Sequence, residues 1–141
     1  MSDSPFESAF LAHFPLPFCV TALTPLESPT SSQWRYLSPF AYVSDKFGRI
    51  DIPAGFRTDF ASIPHALHGI IDDDDPAILF PSGPHDWLFS NGGDTGNGRI
   101  LTFSESNEVL TEAMFWCGAS SELRAIVFQT VELFGKSHWQ P

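Results

Sequence analysis

The sequence is short of positive charge, of cysteine and of long apolar runs. Seven Lys and Arg stand against seventeen Asp and Glu, a formal net charge of −10. Gripping nucleic acid by its phosphates needs a surplus of the opposite sign, so no nucleic-acid partner is expected. Two cysteines, Cys19 and Cys117, cannot build a disulfide framework or a zinc site by themselves. Both lie in apolar runs and read as buried thiols, which suits a reducing compartment. No stretch approaches the roughly 18 uninterrupted apolar residues of a membrane-spanning helix, so no transmembrane segment is expected. The first residues lack the basic start and apolar run of a secretory signal. Synthesis as a cytoplasmic product is the expectation.

What the chain does have is aromatic and proline residues. Among 141 residues are fourteen Phe, four Trp and twelve Pro, and 43% of the chain is apolar. That is enough for one core, and residues 1–141 read as a single domain, with 1–17 as an extended N-terminal segment. Eight of the twelve prolines fall in residues 1–64, which read as strands and turns. Phe18–Leu23 is one apolar run, and Trp34–Ser44 is a second, broken at Pro39. Asp45-Lys46-Phe47-Gly48 has the composition of a tight turn, and Arg49–Ile52 alternates as a strand does. Together they predict a hairpin.

The second half reads as helices. One is expected to start near Ser82, with Pro84 in its first turn, and to carry His85-Asp86-Trp87-Leu88-Phe89. Asn91–Gly98 follows as a glycine-rich, mobile loop. Ser104 is the expected N-cap of the next helix, whose stripe is Val109, Leu110, Ala113, Trp116 and Cys117. In the last helix Leu123, Ile126, Val127, Thr130, Val131 and Phe134 share one face expected to be buried, and Gly135 ends it. The fold class expected is α+β, with short N-terminal antiparallel strands packed on three C-terminal helices.

Two segments could carry chemistry. In Gly55–Pro64, Asp59 lies among apolar residues, three positions before Ser62. Either Asp59 or Ser62 caps the turn into a short helix over residues 63–70, or Asp59 is a carboxylate held at a site. In the second, His85 and Asp86 are neighbours on an apolar helix and point about 100° apart. An inward histidine needs a partner for each ring nitrogen. It is either a general base oriented by a polar group or a core histidine that is simply satisfied. The run Asp72–Asp75 reads as a solvated loop, because four consecutive aspartates cannot all turn to one ion. His65, His68 and His138 have no partner at metal-ligand spacing, and His13 is expected to be exposed.

These pieces resemble a phage and prophage family, the domain of unknown function 1353. The resemblance is carried by Ile52-Pro53-Ala54-Gly55-Phe56-Arg57-Thr58-Asp59-Phe60-Ala61-Ser62-Ile63-Pro64, by His85-Asp86-Trp87-Leu88-Phe89, by Asn107–Met114, and by Leu133-Phe134-Gly135 with Trp139. It runs from about residue 18 to 139 and implies a phage origin, synthesis in the host cytoplasm and a place in the virion tail beside other tail proteins. A local similarity to the His-Asp helix of phospholipase A(2) implies more specific roles. His85 would be the base, Asp86 a calcium ligand and Asn107 the group that orients the histidine. Phe89 stands where those enzymes have tyrosine, and Asn107 where they have a carboxylate. Asp59 is the other candidate carboxylate, and Glu108 or Glu112 would serve only if the helix were rotated.

Two functional expectations follow. One is a tail-associated protein with a hydrolase-like site at His85, Asp59, Asn107 and Asp86, acting on an envelope substrate with calcium as the metal. The other is a non-catalytic adaptor in which Asp59, His85 and Asn107 form a purely structural network.

Overall fold

A computed structural model describes residues 5–27, 33–58 and 76–141 of the chain. Helix α1 (Pro5–His13) comes first, followed by five short strands. These are β1 (Val20–Ala22), β2 (Trp34–Tyr36), β3 (Phe40–Ser44), β4 (Gly48–Ile52) and β5 (Arg57–Thr58). Helices α2 (Pro76–Ser90), α3 (Phe103–Trp116) and α4 (Ser121–Phe134) complete the chain, with a short 3-10 turn at Gly135–His138. The fold is α+β, with short antiparallel strands in the N-terminal half and three helices in the C-terminal half. Strand β2 pairs antiparallel with β1 on one side and β5 on the other. Strands β3 and β4 form a separate hairpin, in register from Phe40 opposite Ile52 to Ser44 opposite Gly48.

Local chemistry explains the elements that form where the sequence places them. The hairpin turn is held by Ser44, whose hydroxyl accepts from the backbone N–H groups of Lys46 (3.2 Å) and Phe47 (2.9 Å). Helix α3 starts with a capping box. The Thr102 hydroxyl accepts from Glu105 N–H, and the Glu105 carboxylate accepts from Thr102 N–H. The cap is therefore Thr102 rather than the expected Ser104, which lies inside the helix. The Ser120 hydroxyl caps α4 by accepting from Leu123 N–H.

Helix α3 lies between two groups of buried side chains. Val109 and Ala113 face the aromatic core of Phe14, Tyr36, Phe40, Tyr42, Phe47 and Leu88. Leu110 and Met114 face Ile78, Val127 and Val131. Fully burying one such aliphatic side chain stabilises the fold by about 1.5–3 kcal/mol before entropy is counted. Among the described residues no helix is long and apolar enough to cross a membrane.

Several expectations are corrected. The N-terminal segment, expected to be extended, is helical over Pro5–His13. His13, expected to be exposed, is only 7% exposed. Helix α2 begins six residues before Ser82 and contains both Pro81 and Pro84. Tertiary packing of this apolar helix overrides the bonds those prolines remove. Loop 91–98 is pinned rather than mobile. Asp51 N–H donates to the Thr95 carbonyl (3.1 Å), Asn97 Nδ2 donates to the Arg49 carbonyl (2.8 Å), and Leu101 N–H donates to the Gly93 carbonyl (2.8 Å). Gly93 is required there: its φ is 86°, and a Cβ would lie 1.8 Å from the Leu101 carbonyl oxygen.

On α4 only Val127 and Val131 of the expected face are fully buried, while Ile126 and Phe134 are 41% and 61% exposed. The helix packs mainly against α3, with Ile78 of α2 in the same cluster, and among the described residues these cover a narrower stripe than the sequence offers. Cys19 and Cys117, expected to be buried, are half-buried and form no disulfide. The expected helix at 63–70, the Asp72–Asp75 run, His65 and His68 lie outside the described residues.

Candidate functional site

Helix α2 carries His85 and Asp86 into different surroundings. His85 faces α3, where Nε2 lies 2.8 Å from Asn107 Oδ1. Asn107 Nδ2 in turn donates to Glu132 Oε1 of α4 (3.4 Å), and the Ser104 hydroxyl donates to the same oxygen (2.6 Å). The polar chain thus runs across three helices, from His85 through Asn107 to Glu132. Because the Asn107 amide N–H₂ points to Glu132, its carbonyl is the acceptor, which puts the imidazole proton on His85 Nε2. Nδ1 is buried and has no hydrogen-bond partner among the described residues. The Phe89 ring lies against the imidazole, with centroids 4.2 Å apart.

The His85 ring is fully buried. Burial pushes its pKa down to about 4, and the bond to Asn107 only partly opposes this. At neutral pH the ring is uncharged. A neutral amide does not stabilise an imidazolium as a carboxylate would, and Glu132 reaches the ring only through that amide. Neither glutamate considered as a substitute is near the ring. Glu108 pairs with Lys46 Nζ at 2.8 Å, and Glu112 accepts from the Tyr42 hydroxyl.

Asp86 points to the strands. Its carboxylate accepts a hydrogen bond from the Thr58 hydroxyl at the end of β5. The Tyr36 hydroxyl is buried close by, and burial together with the Asp86 charge pushes its pKa up. Gly83, one residue before Pro84, makes room for that tyrosine, since a Cβ there would lie 1.8 Å from the Tyr36 oxygen. A glycine in mid-helix therefore has a packing reason that outweighs its low helix propensity.

The structure brings His85 and Asn107 together, as the local similarity implies, and turns Asp86 to a separate cluster with Thr58 and Tyr36. Asp59 lies outside the described residues. Among those residues no group of three or more His, Cys, Asp or Glu converges on a point. The carboxylate-rich oxygen shell that calcium takes is not assembled around Asp86 by the described residues, and no chemical step is assigned to a metal. Glu132 and Tyr36 were not expected in either cluster. Glu132 is 25 residues from Asn107, and its only local signal was a carboxylate on an apolar helix.

Neither the curated proteins nor the solved structures yield a match to this chain. The family model described as Protein of unknown function (DUF1353) matches residues 34–131, more than half of the 141, and the chain belongs to that family.

Proposed function

We propose that this is a non-catalytic phage protein of the virion tail. On this reading the His85–Asn107–Glu132 chain is a structural tie between three helices, and the exposed apolar side chains of α4 bind a neighbouring tail protein. The observation that carries the non-catalytic part is the zero exposure of the His85 ring. A general base must come within about 3 Å of the proton it takes, directly or through one water, and a sealed ring offers no such approach. The binding part is supported by Leu133 and Phe134, 74% and 61% exposed at the end of a helix that is otherwise well formed. The phage origin and the tail location rest on the family resemblance.

One observation favours a second reading, a hydrolase-like site acting on a host-envelope component. The bare Nδ1 of His85 is a lone pair on a ring whose other nitrogen is already held by Asn107. That is the arrangement a histidine base requires.

Two variants in the phage background separate the readings. Leu133→Ser with Phe134→Ser should leave the protein folded, with an unchanged thermal midpoint, but missing from purified virions. Wild-type protein should release nothing from phospholipid vesicles or peptidoglycan. Absence of the wild-type protein from virions would overturn the binding reading. Turnover of either substrate that disappears in His85→Gln would overturn the non-catalytic one.

A further inference from the structure

His13 ends α1, and the groups around it are unlike those around His85. Its Nδ1 lies 2.6 Å from the carbonyl oxygen of Ala9, and its Nε2 lies 3.0 Å from Asp45 Oδ1 in the β3–β4 turn. Both neighbours are acceptors. A neutral imidazole has one N–H and satisfies one of them, whereas an imidazolium has two and satisfies both. The ring also stacks on Trp116 of α3, with centroids 3.8 Å apart and planes 14° from parallel. An indole face is the best aromatic partner for a cation.

We propose that His13 is a pH-responsive clasp that docks α1 onto the hairpin and α3. It is closed when the ring carries both protons and loosens as the ring gives one up. The contacts it governs are aromatic. Phe14 at the end of α1 is buried against Phe40, Tyr42 and Phe80, and Phe10 stacks on Phe14 and packs on Phe80. Opening the clasp therefore bares an aromatic floor that includes Trp116.

The charged groups on the surrounding elements fit a cation at this point. The hairpin turn contributes Asp45 and Lys46, and the Lys46 ammonium is engaged by Glu108 of α3. From β3, the Tyr42 hydroxyl donates to Glu112 of α3, with Cys117 near the same phenol. On α1 itself the other titratable group is Glu7, one helical turn or more from the ring. A carboxylate thus faces His13 from the hairpin, the two α3 carboxylates named here are engaged by Lys46 and Tyr42, and the one ammonium of that turn is already paired.

The test is hydrogen–deuterium exchange of the full-length protein at about pH 6.5 and about pH 8.5, corrected for the intrinsic pH dependence of exchange. Across this window the folded His85 ring stays neutral, and only at its lower edge does the unfolded chain take up that proton, so the α3 amides, which report on the His85–Asn107 bond, serve as the internal control. The α1 amides should open about fivefold more at the higher pH, the scale of one partly exposed charged bond and one ring stack, while the α3 amides stay unchanged. Asp45→Asn offers a partner to either form of the ring and should cut the difference below about twofold. His13→Gln cannot titrate and should abolish it. Equal opening of α1 at the two pH values would overturn the clasp, as would an undiminished difference in Asp45→Asn. The Asp45 side chain is 70% exposed, so that variant decides the matter even if His13→Gln fails to fold.

Discussion

His85 and His13 are both buried, and their surroundings demand opposite things of the same side chain. His85 has one neutral amide at Nε2, nothing among the described residues at Nδ1, and apolar packing elsewhere. Such a site excludes charge, and the ring's pKa is pushed down to about 4 by burial. His13 has an acceptor at each nitrogen and an indole face beneath it. Burial alone therefore does not decide what a histidine does. The donors and acceptors at its two nitrogens do, and they come from distant parts of the chain.

The largest effect that would test this contrast is acid. In the folded protein the His85 ring takes up its second proton near about pH 4, but in the unfolded chain near about pH 6.5. Between those values the unfolded state holds more protons, so stability is full above about pH 6.5 and falls as the pH drops. A shift of this size corresponds to about 3 kcal/mol lost by pH 4, read from urea unfolding at a series of pH values. In His85→Gln that part of the slope should vanish. If it persists, the acid sensitivity belongs to another group.

Removing the amide should sharpen the contrast next. Asn107→Ala leaves the buried His85 Nε2–H without its acceptor and should cost about 2 kcal/mol in urea unfolding. Asn107→Asp places a carboxylate against the ring and should raise the His85 pKa in ring NMR titrations. A ring indifferent to this change would mean that burial, not the partner, governs it.

The other side of α2 gives a smaller effect. Gly83→Ala drives a methyl into the Tyr36 hydroxyl and should cost about 1–2 kcal/mol, as overpacking does. Tyr36→Phe should recover most of that loss, because it removes the atom that is struck. The smallest effect is expected at the His13 site. Asp45→Asn should change global stability by less than about 1 kcal/mol, since the carboxylate is largely exposed to water.

The elements that were legible in the sequence are those fixed by local chemistry. The hairpin at Ser44–Gly48 and the stop of α4 at Gly135 are set by residues within a few positions of each other, whereas α3 is capped at Thr102, two residues before the expected Ser104. Helix α1 was not legible because it is short, apolar on most sides and flanked by prolines. The start of α2 was hidden by Pro81 and Pro84, which argue locally for a later start. The exposed face of α4 was misread because periodicity shows which residues share a face but not how much of it a neighbour covers. In the site, the meeting of His85 with Asn107 was implied by the local similarity. Glu132 behind Asn107, Thr58 and Tyr36 around Asp86, and Asp45 and Trp116 around His13 are long-range partners that no local pattern marks.

The central claim is that His85 is a sealed, neutral structural group. Its most direct test is a long-range proton–nitrogen NMR titration of the His85 ring from about pH 8 to about pH 4. The ring should remain the neutral form protonated at Nε2 throughout most of that range, gaining its second proton only near about pH 4. A ring that protonates near about pH 6.5 would be open to water, which would contradict the sealed tie and return His85 to the candidates for a catalytic base.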